Sequence, residues 1–536
     1  MTELQDYLLK LLEEIDSICK ENSIEYYLFA GSMLGVERNE GFLPWDDDID
    51  LIMTKENYDK FVQVMENCPY KDRTFEHIEK NNEYPLQFGR YTSLTTTGIT
   101  RSLAFDNSSA GVWIDIIYVV PAPASTIKLN FIKKWFSVYC EIENQVYVEH
   151  TNHYKGFYWR YNFCLILSKL IGKERLIKWF RSVFNSYTEE KSHQYLMYHA
   201  LFTDYRLFDK KYFEEPIRKK YGKIETNVFL RNREFCRLLY GDSWMQVPLE
   251  KNQDTHNIVL DFNLPYKTYM DDYMVFLDKG RLNKIIKKTK PLEFKNYNII
   301  RQEKQIEAEV LGILINEEIK EKIISENIDI SVLLENENYP EIISLFQRYL
   351  DLQLRDDLLY WNCYVPLEIQ FVIPVLKALI CYKGEYYNAR KILNVISFNK
   401  KVLTSDVKIL DEIIEICKEL SIAIWDKEDF YEGKTIVDKF DKKYQGTFCI
   451  DVEFARCLIE LKTTGNNNCD YTKTKSKLLD VLNKVSSNGD CMKLLGDIEL
   501  LEDNIPMANY YYERAKENTR NGLILLEIEK RDRCDG

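Results

Sequence analysis

The stretch FAGSMLGVERNEGFLPWDDDIDLIM, Phe29 to Met53, indicates both the fold and the chemistry of this chain. Four aspartates, Asp46, Asp47, Asp48 and Asp50, lie within five positions and are flanked by apolar residues. Carboxylates this close would repel one another if they were buried without compensation. Because residues two apart share a face of an extended segment, Asp46, Asp48 and Asp50 can converge while Asp47 points elsewhere. Their oxygens suit Mg²⁺ or Mn²⁺, so we expect a divalent-cation site here.

A glycine-serine pair, Gly31-Ser32, precedes the acidic run and closes a strand-like segment from Ile24 to Ala30. Glycine lets a phosphate approach the backbone, and the serine hydroxyl and adjacent amides can donate hydrogen bonds to it. When an Asp-apolar-Asp pattern follows on the next strand, the combination resembles the signature of the nucleotidyltransferase superfamily. In that superfamily, metal-bound carboxylates hold a nucleoside phosphate.

The longer pattern GSMLGVERNEGFLPWDDDID, Gly31 to Asp50, is more specific. It resembles the LicD family, which includes bacterial phosphocholine transferases and is related to the fukutin group. The resemblance covers about residues 1 to 260. It implies a nucleotidyltransferase-like core that moves a phospho-alcohol, with phosphocholine expected first, from a CDP-alcohol donor to a hydroxyl of a glycan or lipid-linked glycan. In this comparison Asp47 is the replaceable acid of the run.

Asp115 lies within the apolar strand-like run GVWIDII and resembles the acid that completes the metal cluster of the family. A lone acid in so apolar a strand needs a partner. The resemblance makes that partner a metal ion shared with Asp46, Asp48 and Asp50. The alternative is a structural pair between Asp115 and a nearby base.

Three further residues are candidates for the site. Arg38 and Arg90 can each grip phosphate oxygens through two parallel hydrogen bonds, or can instead form structural salt bridges. His256, near a closing segment at Leu239 to Asp242 and Pro248 that resembles the family, can assist proton transfer or can serve only in packing.

Composition excludes several classes of protein. The net charge of -13 argues against a nucleic-acid binder. The thirteen cysteines show no zinc-site spacing and are expected to be reduced thiols. The amino terminus lacks a signal-peptide pattern, and no apolar run is long enough to span a bilayer. These features predict a cytoplasmic protein, with the inner face of the membrane as an alternative location.

The pattern of elements predicts three regions. Residues 1–265 form the catalytic domain, an α/β nucleotidyltransferase-like fold with a mixed sheet and flanking helices. It includes an amphipathic helix from Leu4 to Cys19, a helix capped by Thr54 and a strand at Trp113 to Val120. Residues 266–309 connect this domain to an all-α region at 310–536. There, Met492 to Thr519 resembles a tetratricopeptide (TPR) helix pair, although ordinary helical hairpins fit equally well.

A helical insertion at about 128–187 interleaves aromatic and basic residues, as in FIKKWF and RLIKWFRSVF. Core helices whose Lys and Arg stems cover apolar surface explain this composition. A peripheral contact with anionic lipid is the alternative. For the helical tail, we expect a role in recruiting the acceptor or a protein partner.

Two other functions fit parts of the pattern. A true nucleotidyltransferase would use the same metal cluster but release pyrophosphate from a nucleoside triphosphate. A helical-repeat adaptor that has lost catalysis would have no physical reason to keep the metal-site acids and the Gly-Ser pair. We therefore expect a phosphotransferase.

Overall fold

The computed structural model of the protein describes residues 2–77, 88–100, 110–132, 192–197, 206–248, 257–268, 297–399, 405–463 and 471–535, with isolated positions within 80–86 and 163–182. His256 and most of the predicted aromatic and basic insertion lie outside these residues. The described residues divide into two compact units. The first comprises residues 1–239 and 248–297, and the second comprises residues 240–247 and 298–536.

The first unit contains a mixed sheet flanked by helices. Its helices are α1 Glu3–Glu21, α2 Ala30–Asn39, α3 Lys55–Met65 and α4 Asn232–Tyr240, whose last residue belongs to the second unit. Its strands are β1 Tyr27–Phe29, β2 Asp50–Thr54, β3 Arg73–Glu76, β4 Gly89–Ser93, β5 Thr97–Thr100, β6 Trp113–Pro121, β7 Gln194–Met197, β8 Arg206–Asp209, β9 Ile217–Tyr221, β10 Ile224–Val228 and β11 Asn257–Asp261.

Strand β6 is central to this sheet and is buried along its whole length. The main path runs β1-β2-β6-β4-β3, and β7 and then β8 extend the sheet from the end of β6. Strand β6 runs parallel to β2 and antiparallel to β4. Apart from Asp115, its mainly apolar sequence matches a strand covered on both faces. The remaining described strands form two antiparallel pairs, β9 with β10 and β5 with β11.

The predicted elements around the acidic run are present. Helix α1 buries the apolar face from Leu4 to Cys19. Helix α3 begins at the predicted cap, where the side chain of Thr54 accepts a hydrogen bond from the amide of Asn57. Strand β1 is shorter than expected because the chain enters helix α2 already at Ala30. The expectation of a mixed sheet with flanking helices is therefore confirmed, whereas the nucleotidyltransferase-like topology stays a prediction.

The second unit is helical, which confirms the predicted all-α region. Its helices are α5 Tyr297–Ser325, α6 Ile330–Glu335, α7 Tyr339–Gln353, α8 Asp356–Tyr360, α9 Ile369–Lys377, α10 Tyr386–Asn399, α11 Ser405–Ser421, α12 Phe430–Lys443, α13 Ile450–Thr463, α14 Thr472–Lys484, α15 Gly489–Leu501, α16 Ile505–Asn518 and α17 Gly522–Asp535. Short π-helical turns at Ala378–Lys383 and Ile422–Asp426 follow α9 and α11.

The predicted helix pair within Met492 to Thr519 corresponds to α15 and α16. A Cβ atom at Gly496 would lie 2.8 Å from the ring of Tyr512, so the glycine is what lets the two helices approach. Close packing of one pair does not establish a regular repeat, and the TPR-like character of the unit stays a prediction. Among the described helices, none is both long and apolar enough to cross a membrane.

One segment assigned from the sequence to the catalytic domain belongs to the helical unit. The segment Tyr240–Val247 contributes the buried Trp244 to that unit. The amide of Gly522 donates a hydrogen bond to the Met245 carbonyl at 2.8 Å, and the amide of Val247 donates to the Arg520 carbonyl at 2.8 Å. The predicted boundaries at 265 and 310 stay predictions, but the helical unit already includes α5 from Asn298 onward.

Candidate active site

The first turn of α2 is hydrogen-bonded to the end of the acidic run. Ser32 is buried, and its hydroxyl accepts a hydrogen bond from the backbone amide of Asp50 at 3.1 Å. At the neighbouring position, a Cβ atom on Gly31 would lie 2.7 Å from Asp46 Oδ2. Glycine is therefore the residue that lets the Asp46 carboxylate approach the start of the helix. The predicted pair has a structural role in positioning two of the acids.

The predicted acids lie together around Asp50. Asp50 on β2 stands directly opposite Asp115 on the parallel strand β6. Burial raises the pKa of the Asp50 carboxyl well above its usual value, and the negative charges of Asp48, Asp115 and Asp46 raise it further. A site with this excess of negative charge favours a bound cation or a proton.

Asp47 has different neighbours from this group. It lines a small space with Leu4 and Leu8 of α1 and with Val112 and Trp113. The acids whose charges raise the pKa of Asp50 are Asp46 and Asp48 of the acidic run and Asp115. Asp47 is therefore a useful internal control for the other three acids.

The two arginines occupy different positions. Arg90 on β4 donates from Nε to Asp115 Oδ1 at 2.7 Å, and both side chains are largely buried. Its guanidinium also lies 4.2 Å from the centroid of the Trp113 ring. For both Arg90 and Asp115, the sequence left a structural ion pair open as the alternative to a role in binding. The structure shows that these two residues pair with each other. Arg38 is buried in α2, and its guanidinium lies 5.8 Å from the centroid of the Trp45 ring.

Glu37, beside Arg38, is held in a buried polar network. It pairs with Lys219 on β9 and accepts a hydrogen bond from Arg233 at 3.0 Å. The side-chain amide of Asn232 donates to it at 2.9 Å. These contacts attach helix α2, which holds Ser32 and Arg38, to β9 and α4.

Tyr221 at the end of β9 is a site residue that sequence reasoning missed. It is fully buried. Burial and the charge of Asp46, followed by the charges of Asp48 and Asp50, raise the pKa of its hydroxyl well above the usual value. A phenol that stays protonated beside carboxylates is a hydrogen-bond donor. Nothing in the surrounding sequence RKKYGK marks this tyrosine, because the contact depends on the position of a distant hairpin.

Among the residues that the structure describes, no group of three or more His, Cys, Asp or Glu side chains stands in a ready metal-binding arrangement. The acids are nevertheless close enough to raise the pKa of Asp50 together. This donor set of carboxylate oxygens fits a hard divalent cation. The metal roles of Asp46, Asp48, Asp50 and Asp115 stay predictions.

Comparison with known proteins identifies the region around this site. Residues 23–100 match the family model described as LicD/FKTN/FKRP, nucleotidyltransferase domain. The chain is 25% identical over 271 residues to the lipopolysaccharide cholinephosphotransferase LicD of Haemophilus influenzae, an alignment that covers 48% of this chain and 96% of that protein.

Two shorter matches are to uncharacterised proteins of Rickettsia typhi, 31% identical, and Rickettsia prowazekii, 29% identical. Each covers 58 residues, which is 11% of this chain and 19% or 22% of the relative. The family model and the cholinephosphotransferase agree with the resemblance seen in the sequence. The chain therefore carries a LicD-family domain in its amino-terminal part, and this domain supports a transferase of phosphate-containing groups.

Proposed function

We propose that the chain transfers phosphocholine from CDP-choline to a hydroxyl of a cell-surface glycan or its precursor, with Mg²⁺ or Mn²⁺ as cofactor. The observation that supports this proposal is the placement of Asp46, Asp48 and Asp115 around the half-buried Asp50. The similarity to a lipopolysaccharide cholinephosphotransferase supports phosphocholine as the group and a glycan as the acceptor.

The proposed cation would be held by Asp46, Asp48, Asp50 and Asp115. When bound, a divalent ion neutralises charge on the transferring phosphoryl group and on the leaving nucleotide. Ser32 keeps β2 aligned beneath the start of α2 through its hydrogen bond with the Asp50 amide. Arg90 holds one oxygen of Asp115 and so limits the directions in which that carboxylate can point.

The proposed reaction is a displacement at the phosphorus of phosphocholine. The acceptor hydroxyl forms the new phosphorus-oxygen bond, the bond to CMP breaks, and the acceptor proton leaves to a carboxylate of the site or to His256. The protein contributes positioning and electrostatic stabilisation rather than a covalent intermediate. The neutral hydroxyl of Tyr221 is a further donor available beside the acids.

The product released tests this proposal. The full chain is incubated with Mg²⁺, lipopolysaccharide as acceptor, and either CDP-choline or CTP. We expect CMP to form together with phosphocholine-modified acceptor. Pyrophosphate released from CTP, without CMP release from CDP-choline, would instead show a nucleotidyltransferase. CDP-ribitol and CDP-glycerol in parallel reactions identify the alcohol that is transferred.

Variants of the acidic run test the site itself. We expect Asp48→Asn and Asp50→Asn each to reduce transfer by on the order of 100-fold, because each removes a charge from the cation site. Asp47→Asn is the matched control and should keep normal transfer, because Asp47 lies toward α1. Chelation with EDTA should abolish transfer, and added Mg²⁺ or Mn²⁺ should restore it. Full activity after chelation would contradict the cofactor proposal.

A further inference from the structure

A second cavity, unrelated to the acidic run, lies within the helical unit. It has a volume of about 390 Å³. This volume is within the range of small-molecule sites, roughly 300 to 1,000 Å³. We call it the Asp451 cavity, after Asp451, the second residue of helix α13. Every residue that lines it belongs to the second unit.

The carboxyl group of Asp451 is the unusual feature of this cavity. Its Oδ2 atom is buried and has no hydrogen-bond partner among the described residues. On its other side, a Cβ atom at Gly384 would lie 2.7 Å from Asp451 Oδ1, so the glycine makes room for the acid. A desolvated carboxylate with an unsatisfied oxygen is costly to keep unless something else satisfies it.

The charges in the cavity wall favour a cation. The described residues that line the cavity include the acids Asp242, Glu385, Asp451, Asp490 and Glu517 and the bases Lys383 and Arg520. The guanidinium of Arg520 donates to the Val247 carbonyl from Nη2 at 2.9 Å and from Nε at 3.2 Å, so its hydrogen bonds are directed at the backbone. Asp490 accepts a hydrogen bond from the hydroxyl of Thr519. Asp451 lacks any such donor in the described structure.

The apolar part of the wall includes aromatic rings beside aliphatic side chains. Trp425 and Phe454 stack with their ring centroids 6.0 Å apart and their planes at 17°, and Tyr387 lines the same cavity. Aromatic faces attract organic cations, and cages of this kind recognise quaternary ammonium groups.

We propose that the Asp451 cavity binds a small alkylammonium ion, with the positive charge against the Asp451 carboxylate and the alkyl groups against Trp425, Phe454 and Tyr387. The inference rests on this cavity alone and does not depend on the proposed transferase reaction. The cavity shares no residue with the acidic run, so the chain can bind such an ion whether or not it transfers phosphocholine.

Calorimetric titration of the full chain with choline chloride tests the inference. The titration is made at about pH 8.5, because burial and the charge of Asp490 raise the pKa of Asp451 to about 8. The neutral analogue 3,3-dimethylbutan-1-ol has the shape of choline without its charge. We expect choline to bind and this analogue not to bind.

Three variants identify the location of binding. Asp451→Asn and Trp425→Leu should each weaken choline binding by about tenfold or more. Asp480→Asn, which changes an exposed acid of the same unit, is the matched control and should bind normally. Asp50→Asn should also bind normally, because it alters only the acidic run. Circular dichroism verifies that each variant is folded.

The inference is overturned if choline does not bind, if the neutral analogue binds equally well, or if Asp451→Asn binds as the unchanged chain does. It is also overturned if Asp50→Asn loses binding while Asp451→Asn keeps it, since the ion would then occupy the acidic run. Failure of phosphocholine transfer with normal choline binding at Asp451 would contradict the proposed function and leave this site intact.

Discussion

Ser32 and Asp50 are joined by a hydrogen bond in which the Asp50 amide donates to the Ser32 hydroxyl at 3.1 Å. Ser32 lies in the first turn of α2, and Asp50 is the first residue of β2. The bond therefore ties the helix that follows one strand to the start of the adjacent strand. It fixes the point at which the acidic run enters the sheet.

Replacing Ser32 with alanine should weaken both stability and transfer. The variant leaves the Asp50 amide without its side-chain acceptor, which costs about 1–3 kcal/mol in the free energy of unfolding. Urea unfolding measures this loss, and CMP release from CDP-choline measures transfer. Ser17→Ala, at an exposed position in α1, is the control and should change stability by less than about 0.5 kcal/mol. Equal stability of Ser32→Ala and Ser17→Ala would show that the bond contributes nothing.

Glu37→Gln should destabilise the first unit by about 1–2 kcal/mol, because it removes the buried charge that accepts hydrogen bonds from the partly exposed Lys219 and Arg233. Burial alone would raise the pKa of Glu37, but the charges of Lys219 and Arg233 hold it below its usual value of 4.5. The contribution of the carboxylate is therefore present above about pH 4.5 and is lost as the pH falls through the lowered pKa.

Urea unfolding at neutral and acidic pH measures this effect. The difference between the unchanged chain and Glu37→Gln should shrink in acid. Glu40→Gln is the matched control, because the ion pair of Glu40 with the exposed Lys220, at 3.5 Å, is in contact with solvent. Its effect should be below about 1 kcal/mol. A Glu37→Gln chain as stable as the Glu40→Gln chain would contradict a stabilising role for the network.

The local part of the site could be predicted from the sequence, whereas its long-range part could not. The alternation of Asp46, Asp48 and Asp50 is a short-range property of extended backbone, so a local pattern can predict which acids share a face. The pairing of Arg90 with Asp115 depends on the register between β4 and β6, which no local pattern specifies. Tyr221 reaches the acids from a hairpin far along the chain, and a lone tyrosine carries no signal of that contact.

The helical unit shows the same limit. Helical periodicity predicted its class, and the helix pair predicted within Met492 to Thr519 is present, with Gly496 packed against Tyr512. The inclusion of Tyr240–Val247 in this unit was not predicted, because its pairing with residues 520–522 joins segments far apart in the sequence.

Trp244→Ala tests that inclusion. Trp244 is 2% exposed. Its truncation should destabilise the helical unit by about 3–5 kcal/mol through lost burial and the cavity left behind. Hydrogen exchange locates the effect, and we expect faster exchange in α15 to α17. Tyr431→Ala, at a position that is 79% exposed in the same unit, is the control and should change exchange little. Faster exchange confined to the sheet of the first unit would contradict the assignment.

Asp451→Asn should stabilise the helical unit, and the gain should grow with pH. Removal from water, followed by the charge of Asp490, raises the pKa of Asp451 from 3.8 to about 8. Between these values the folded chain holds a proton that the unfolded chain has lost, so the free energy of unfolding falls as the pH rises. Asparagine does not titrate, and this loss is absent from the variant.

The measurement is the difference in urea midpoint between Asp451→Asn and the unchanged chain, followed from about pH 5 to about pH 9 in the absence of choline. The difference should increase up to about pH 8 and then level off, because Asp451 is ionised in both states above its folded pKa. Asp480→Asn, which changes an exposed acid of the same unit, is measured in parallel as the control. If the difference in urea midpoint between Asp451→Asn and the unchanged chain is constant with pH, a partner already stabilises the charge of the Asp451 carboxyl group in the folded chain. Added choline should reduce the advantage of the variant at high pH, since it stabilises only the chain that carries the ionised carboxylate.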